Sequence, residues 1–306
     1  MAKIGIIGSG NVGANTAFFL AEKHVADVLL YDIKEGLSTG KALDMMEAAP
    51  VRGYITEICG TDSFDDLLTT DLLFITAGMV RKSGIKREAL VSDNLGIVKD
   101  TAAALKDYGG IVVVVTDPVD TLTTVFVQES GLSPKKVLGL GGFLDATRLR
   151  HLIARELTVS TESVDAVIIG RHAESMIPLP AYCRVSGVPV GDLIEKEKLT
   201  EIYNEARRSG DLIVDLAQRS GAYYGPSAAA ADLGETILRD TRRIIAVSQV
   251  LAGQYGISDV AMSLPSIIGK NGIEATLEPV LTDDQRAILL ESAEIIRSSV
   301  AEGRGA

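Results

Sequence analysis

The chain has 306 residues, 46% of them apolar and 23% charged, with 41 acidic against 30 basic side chains and a net charge of −11. That length and composition can bury a sizeable core, as one large α/β unit or two domains, and exclude general disorder. The acidic balance serves solubility and argues against a protein that works by neutralising nucleic-acid phosphates.

The N-terminus enters a strand at once, Lys3-Ile4-Gly5-Ile6-Ile7. This apolar run is too short for a signal peptide and leads straight into a glycine loop. Further short apolar runs predict buried strands at Val28 to Tyr31, Leu72 to Thr76 and Ile111 to Thr116, with helices between them at Val12 to Glu22 and Leu37 to Glu47. The alternation implies βαβ units on a parallel sheet covered on both faces. Each strand ends at a polar or glycine-containing junction: Gly8-Ser9-Gly10, Asp32, Ala77-Gly78 and Asp117-Pro118. Ligands of open α/β sheets bind outside those carboxyl ends, so the four junctions are expected on one rim.

Beyond about residue 145 the pattern changes. A helix over Asp145 to Leu157 is followed by an apolar run, Ser163 to Ile169, then Gly170-Arg171-His172, and a hairpin over Tyr182 to Val190 with Gly187-Val188-Pro189 as its turn. Helices are predicted over Leu199 to Arg219, Ser227 to Leu238 and Asp283 to Val300. The expected architecture is α/β: a Rossmann-type doubly wound parallel sheet domain over residues 1–142, followed by an α+β substrate-binding and catalytic domain over 143–306. Two cysteines, Cys59 and Cys183, lack C-x-x-C spacing, and three histidines leave little for a metal cluster; neither a disulfide framework nor a metal is expected. With no apolar stretch near the ~20 residues of a membrane span, a cytoplasmic location is expected, with no membrane or nucleic-acid partner.

Four motifs carry chemistry. Gly8-Ser9-Gly10-Asn11-Val12-Gly13 joins a strand to a helix, with Asp32 at the end of the next strand. Its glycines allow a tight turn, backbone approach to a pyrophosphate and close helix–strand packing, and the helix N-terminus favours phosphate. The Asp32 carboxylate can accept from ribose hydroxyls and would repel a 2′-phosphate, which favours NAD over NADP. The second motif is a loop from Ala77 to Arg87 with four cations, Arg81, Lys82, Lys86 and Arg87, and with glycines at 78 and 84 able to let it close; arginine suits bidentate carboxylate recognition. In the third, Asp145 and Arg148 share a helix face, the bland alternative being a surface ion pair. In the fourth, His172 follows an apolar strand and is a natural proton donor near neutral pH, unless it is merely structural.

Together with Gly40 to Ala48, Leu144-Asp145 to Arg148 and Met176-Ile177-Pro178-Leu179, these residues resemble the lactate/malate dehydrogenase family, in its lactate-dehydrogenase-like malate dehydrogenase branch, over essentially the whole chain. The resemblance implies NAD as cofactor, bound by Gly8, Ser9, Gly10, Asn11, Val12, Gly13, Asp32, Asn94, Val115, Thr116 and Asp117. It implies His172 as proton donor and acceptor, Asp145 as its orienting carboxylate, and Arg87 polarising the substrate carbonyl. Arg148 would clamp the adjacent carboxylate, and Arg81 would pair with a second carboxylate, selecting a dicarboxylate (oxaloacetate or malate) over pyruvate. A homo-oligomer, tetramer or dimer, is implied as well, and Ala222 to Pro226 would border the pocket. Lactate or another 2-hydroxy acid is the alternative substrate.

Two positions depart from the family pattern. Asp117 stands where the family has asparagine, and an ionised carboxylate cannot donate to substrate. Either its pKa is raised, or it pairs with an arginine, or substrate binding is weakened; arginine pairing is the expectation, and a catalytically impaired NAD-binding protein is the alternative. His172-Ala173-Glu174 replaces His-Gly-Asp, which implies that a positive φ is not obligatory at residue 173.

Overall fold

A computed structural model describes residues 2–79, 90–217 and 221–305. In chain order the first half contains β1 (Lys3–Ile7), α1 (Asn11–Glu22), β2 (Asp27–Tyr31), α2 (Leu37–Arg52), β3 (Ile58–Thr61), β4 (Leu72–Ile75), α3 (Leu90–Ala104), β5 (Ile111–Val114), α4 (Val119–Ser130) and β6 (Val137–Gly139). Strands β1 to β6 pair in parallel in the order β3-β2-β1-β4-β5-β6. This is the doubly wound arrangement of two mononucleotide-binding halves, whose strand order reverses beside β1.

The strands read as unbroken apolar runs because alternate residues feed two cores, one on each face of the sheet. Ile4, Ile6, Val28, Leu30, Leu72, Phe74, Ile111 and Val113 belong to one core. Ile7, Leu29, Leu73, Ile75, Val112 and Val114 belong to the other. Successive side chains of a strand point to opposite faces, so a sheet covered on both sides needs apolar residues at every position.

The second half runs through α5 (Gly142–Leu157), β7 (Val164–Asp165), β8 (Ile168–Ile169), β9 (Ile177–Pro178), β10 (Arg184–Val185), β11 (Val188–Pro189), α6 (Lys196–Ala217), α7 (Tyr224–Leu238), β12 (Arg243–Ala252), β13 (Ser258–Gly269), β14 (Gly272–Thr276) and α8 (Asp283–Gly305). Strands β12, β13 and β14 are antiparallel and extend the large sheet to nine strands, meeting β6 at Ser248 and Gly139. They lie between the last two helices predicted from the sequence, in a stretch for which no element was expected. The apolar run Ser163 to Ile169 divides: Val164–Asp165 pairs with β10, and Ile168–Ile169 pairs with β9 in a different small sheet. The hairpin turn lies at Ser186–Gly187, one residue earlier than the pattern suggested, with positive φ at both positions. That is the turn geometry whose twist matches the flanking strands. Helix α2 also outruns its expected end, continuing through Pro50 to Arg52.

The two halves share packing. Helix α7 lies against α1, where the Ser227 hydroxyl donates to the Val12 carbonyl at 2.9 Å, and Gly234 passes close to the ring of Phe74. Phe74 is fully buried in the core beneath this helix pair. Phe74→Ala is expected to lower unfolding free energy by about 3–5 kcal/mol, read as a lowered denaturant midpoint with NADH excluded.

Candidate active site

The carboxyl ends of β1, β2, β4 and β5 meet the start of α1 at one rim. The first junction is built around a close approach. Gly8 has φ +100°, and a Cβ on Gly13 would collide with the Gly8 carbonyl oxygen, so the α1 backbone can lie against the strand end only with glycine there. Ser9 is buried, and its N–H donates to Asp32 Oδ2 at 2.7 Å; Asp32 Oδ1 accepts from the Lys34 N–H at 3.0 Å. The carboxylate is therefore held at the end of β2, beside the glycine turn. Helix α1 begins at exposed Gly10 and Asn11 without a side-chain cap or an acidic first turn, and a Cβ on Gly10 would point into open space. Backbone donors at an uncapped helix start, with room in front of them, fit a dinucleotide pyrophosphate, and the placed Asp32 fits a ribose diol.

At the adjoining junctions Thr116 Oγ1 donates to the Ala77 carbonyl at 2.7 Å, tying the end of β5 to that of β4. Asn94 from α3 is fully buried: its Oδ1 accepts from the Met79 N–H and its Nδ2 donates to the Asp117 carbonyl, both at 2.7 Å. Its amide thus shapes the rim from behind. Arg81 and Arg87, with the rest of the basic loop over residues 80–89, lie outside the described residues.

A cavity of about 160 Å³ opens at this rim, lined by Val12, Thr76, Val115, Thr116, Asp117, Arg148 and His172 and also by Ala222 and Pro226. His172 is buried, and its Nδ1 lies 2.7 Å from Asp145 Oδ2; Arg148 Nη1 donates to Asp145 Oδ1 at 3.3 Å. The spacing that could have made a surface ion pair on α5 instead makes a buried one that joins the histidine. Ser263 on β13 brings the two segments together. Its backbone exchanges hydrogen bonds with Gly170, two residues before His172, and its Oγ accepts from the Gly142 N–H at the start of α5. Ala173 keeps a negative φ, so the loop after the histidine accommodates alanine without strain.

Three residues of this environment, Ser263, Asp120 and Ser248, were not singled out in the sequence. Asp120, in the first turn of α4, accepts the backbone N–H of His172 on Oδ2 at 2.7 Å and the Ser248 hydroxyl on Oδ1 at 2.6 Å. Burial pushes its carboxyl up to about 6, opposed by the Ser248 and His172 donors and by the charges of His172 and Arg171. The signal was an aspartate inside an otherwise uncharged, buried helix start, Val119-Asp120-Thr121-Leu122, visible only once that helix is known to be covered. Among the described residues no group of three or more His, Cys, Asp or Glu side chains is placed to hold a metal ion.

A doubly wound sheet with a glycine cradle on its rim and a buried histidine–carboxylate pair beside the cradle is the site of a dinucleotide-dependent oxidoreductase. Residues 2–139 match the lactate/malate dehydrogenase NAD binding domain and residues 143–305 match the lactate/malate dehydrogenase alpha/beta C-terminal domain. The chain is 40% identical over 304 residues to a malate dehydrogenase of Methanosarcina mazei, covering 99% of each protein. Its fold is similar to the crystal structure of Cryptosporidium parvum malate dehydrogenase, with TM-score 0.97 and 32% identity over 100% of this chain and 99% of that one. It is also similar to the lactate dehydrogenase from the same organism complexed with lactic acid and nicotinamide adenine dinucleotide, with TM-score 0.95 and 33% identity over 100% and 98% of the two chains. The chain belongs to the lactate/malate dehydrogenase family, and its cofactor is NAD.

The packing of Gly13 against Gly8 gives a direct test of the cradle. Gly13→Ala is expected to weaken NADH binding by about tenfold or more, measured by fluorescence titration on a variant whose circular dichroism matches the parent protein.

Proposed function

We propose that this chain is an NAD-dependent malate dehydrogenase that interconverts malate and oxaloacetate. The observation that carries the reading is the buried His172–Asp145 pair facing a cavity at the NAD rim. NAD, when bound, supplies or accepts the hydride. His172 then donates a proton to the carbonyl oxygen through Nε2, since Nδ1 is engaged with Asp145, and takes one back in the reverse direction. Asp145 fixes the ring and favours its charged form, the orienting role a carboxylate plays beside other catalytic histidines.

The remaining roles follow the family motif. Arg148 clamps the substrate carboxylate next to the reacting carbon, Arg87 polarises the carbonyl, and Arg81 receives the second carboxylate. A pyruvate methyl in that place would leave the Arg81 charge desolvated and unpaired. Gly8, Ser9, Gly10, Asn11, Val12, Gly13 and Asp32 hold the pyrophosphate and adenine ribose, and Val115, Thr116 and Asp117 border the nicotinamide end. Asn94 serves that end through the backbone of Asp117 and Met79. Asp117 shares the cavity with Arg148, which supports neutralisation of its carboxylate by an arginine.

The division into an NAD-binding part to residue 142 and a catalytic part beyond it belongs to the same proposal, supported by the change from parallel to antiparallel strands. A homo-oligomer, dimer or tetramer, is supported by the family relationship and by exposed apolar side chains such as Val51 and Ile55. A cytoplasmic location is supported by two cysteines without a disulfide, and no helix among the described residues is long and apolar enough to cross a membrane.

NADH oxidation is expected to prefer oxaloacetate over pyruvate by about 10³-fold or more in kcat/KM, and Arg81→Gln to erase most of that preference. Equal rates on both acids would overturn the substrate assignment. Asp117→Asn is expected to leave the KM for oxaloacetate unchanged or lower; a large loss of kcat/KM would show that the carboxylate itself is required. NADH binding with no turnover of either acid would favour the impaired binding protein.

A further inference from the structure

The Asp120 carboxylate is buried behind the residues that line the cavity, yet both of its oxygens are engaged with elements that build the active site. Oδ2 takes the His172 backbone N–H at 2.7 Å and Oδ1 takes the Ser248 hydroxyl at 2.6 Å. Ser248 is fully buried on β12, at the point where the antiparallel strands join β6. The carboxylate therefore links three separate segments: the start of α4, the loop that carries His172, and the seam of the nine-stranded sheet. A buried charge is costly, and a neutral amide or hydroxyl could have bridged the same donors. Its presence beside the histidine of the cavity calls for a role that uses the charge.

We propose that Asp120 is a second positioning residue for His172, anchoring the histidine's backbone while its negative charge favours the imidazolium form. The proposal rests on the reading of His172 as the group that exchanges the substrate proton. Asp145 holds the ring nitrogen and Asp120 holds the main chain behind it, so the imidazole is fixed at both ends. Among the described residues, the charged and titratable groups around His172 are Asp145 and Arg148 from α5, Asp120 from α4, Asp117 from the end of β5, and Arg171 from its own segment. The hydroxyl of Ser248 from β12 is a neutral donor that opposes the effect of burial and favours the ionised Asp120 carboxylate. Removing an anion from such a group disfavours imidazolium, so the histidine should then lose its proton at lower pH.

The chain has three histidines, His24, His151 and His172. A ring-labelled sample therefore gives three signals by NMR, and loss of one in His172→Gln assigns the catalytic residue. Asp120→Asn keeps an oxygen for the His172 N–H and lets the Ser248 hydroxyl turn to accept from the new amide, so it removes charge and preserves the anchor. The His172 titration midpoint is expected to fall by about one unit in this variant, with NADH affinity unchanged. Asp120→Leu, which removes charge and anchor together, is expected to lower kcat by about 10- to 100-fold with a smaller change in KM. Should Asp120→Asn fail to fold, Ser248→Ala carries the test: with one donor gone the carboxylate protonates more readily, and the midpoint moves the same way by a smaller amount.

A merely structural role would leave the midpoint in place. An unmoved midpoint in a folded Asp120→Asn, or in Ser248→Ala where it substitutes, overturns the proposal, as does parental kcat in Asp120→Leu. If His172→Gln still reduces oxaloacetate, the reading of His172 itself falls. If it is inactive and the midpoint is unmoved, only the role of Asp120 falls.

Discussion

The arrangement of this site depends on one buried histidine held by two carboxylates from different helices. Asp145, on α5, takes the ring; Asp120, on α4, takes the backbone. Neither helix could bring its carboxylate there alone. Ser263 on β13 bonds both the segment ahead of His172 and the first turn of α5, and Ser248 on β12 bonds Asp120. The antiparallel extension of the sheet is thus the frame on which the proton-handling side of the pocket is built. A buried polar network of this kind is stable only when each member is satisfied, which gives it a single geometry.

The parallel half supplies the other wall. Its strand order reverses beside β1, so the carboxyl ends of neighbouring strands open a crevice where α1 begins. The Gly13–Gly8 contact lets α1 approach that edge, and the bonds from Ser9 and Lys34 to Asp32 hold a carboxylate where a ribose would lie. Helix α7 crosses back from the second half onto α1, so the cofactor wall and the catalytic wall are packed as one body around the cavity.

The fold does not choose the substrate. Two acids that differ by one carboxylate can be told apart by few side chains lining a common pocket, because leaving a charge unpaired costs far more than any small change in shape.

Much of this was legible in the residues alone. Unbroken apolar runs ending in glycine or aspartate marked β1, β2, β4 and β5, because a sheet covered on both faces demands apolar side chains at every position. The i, i+3 spacing of Asp145 and Arg148 placed them on one face of a helix. Local pattern could not say that this face is buried, that the run from Ser163 to Ile169 divides between two sheets, or that β12 to β14 continue the parallel sheet. Nor could it reveal Asp120, which resembles an ordinary aspartate in the first turn of a helix until α4 is seen to be covered. The periodicity of one segment reports that segment's own exposure, whereas the partners of a buried carboxylate come from β12 and from the loop after β8, 128 and 52 residues away. Chemistry-bearing residue types and strand ends were therefore determined by the sequence, and their union around one histidine was decided by tertiary packing, since only long-range hydrogen bonds bring those groups together.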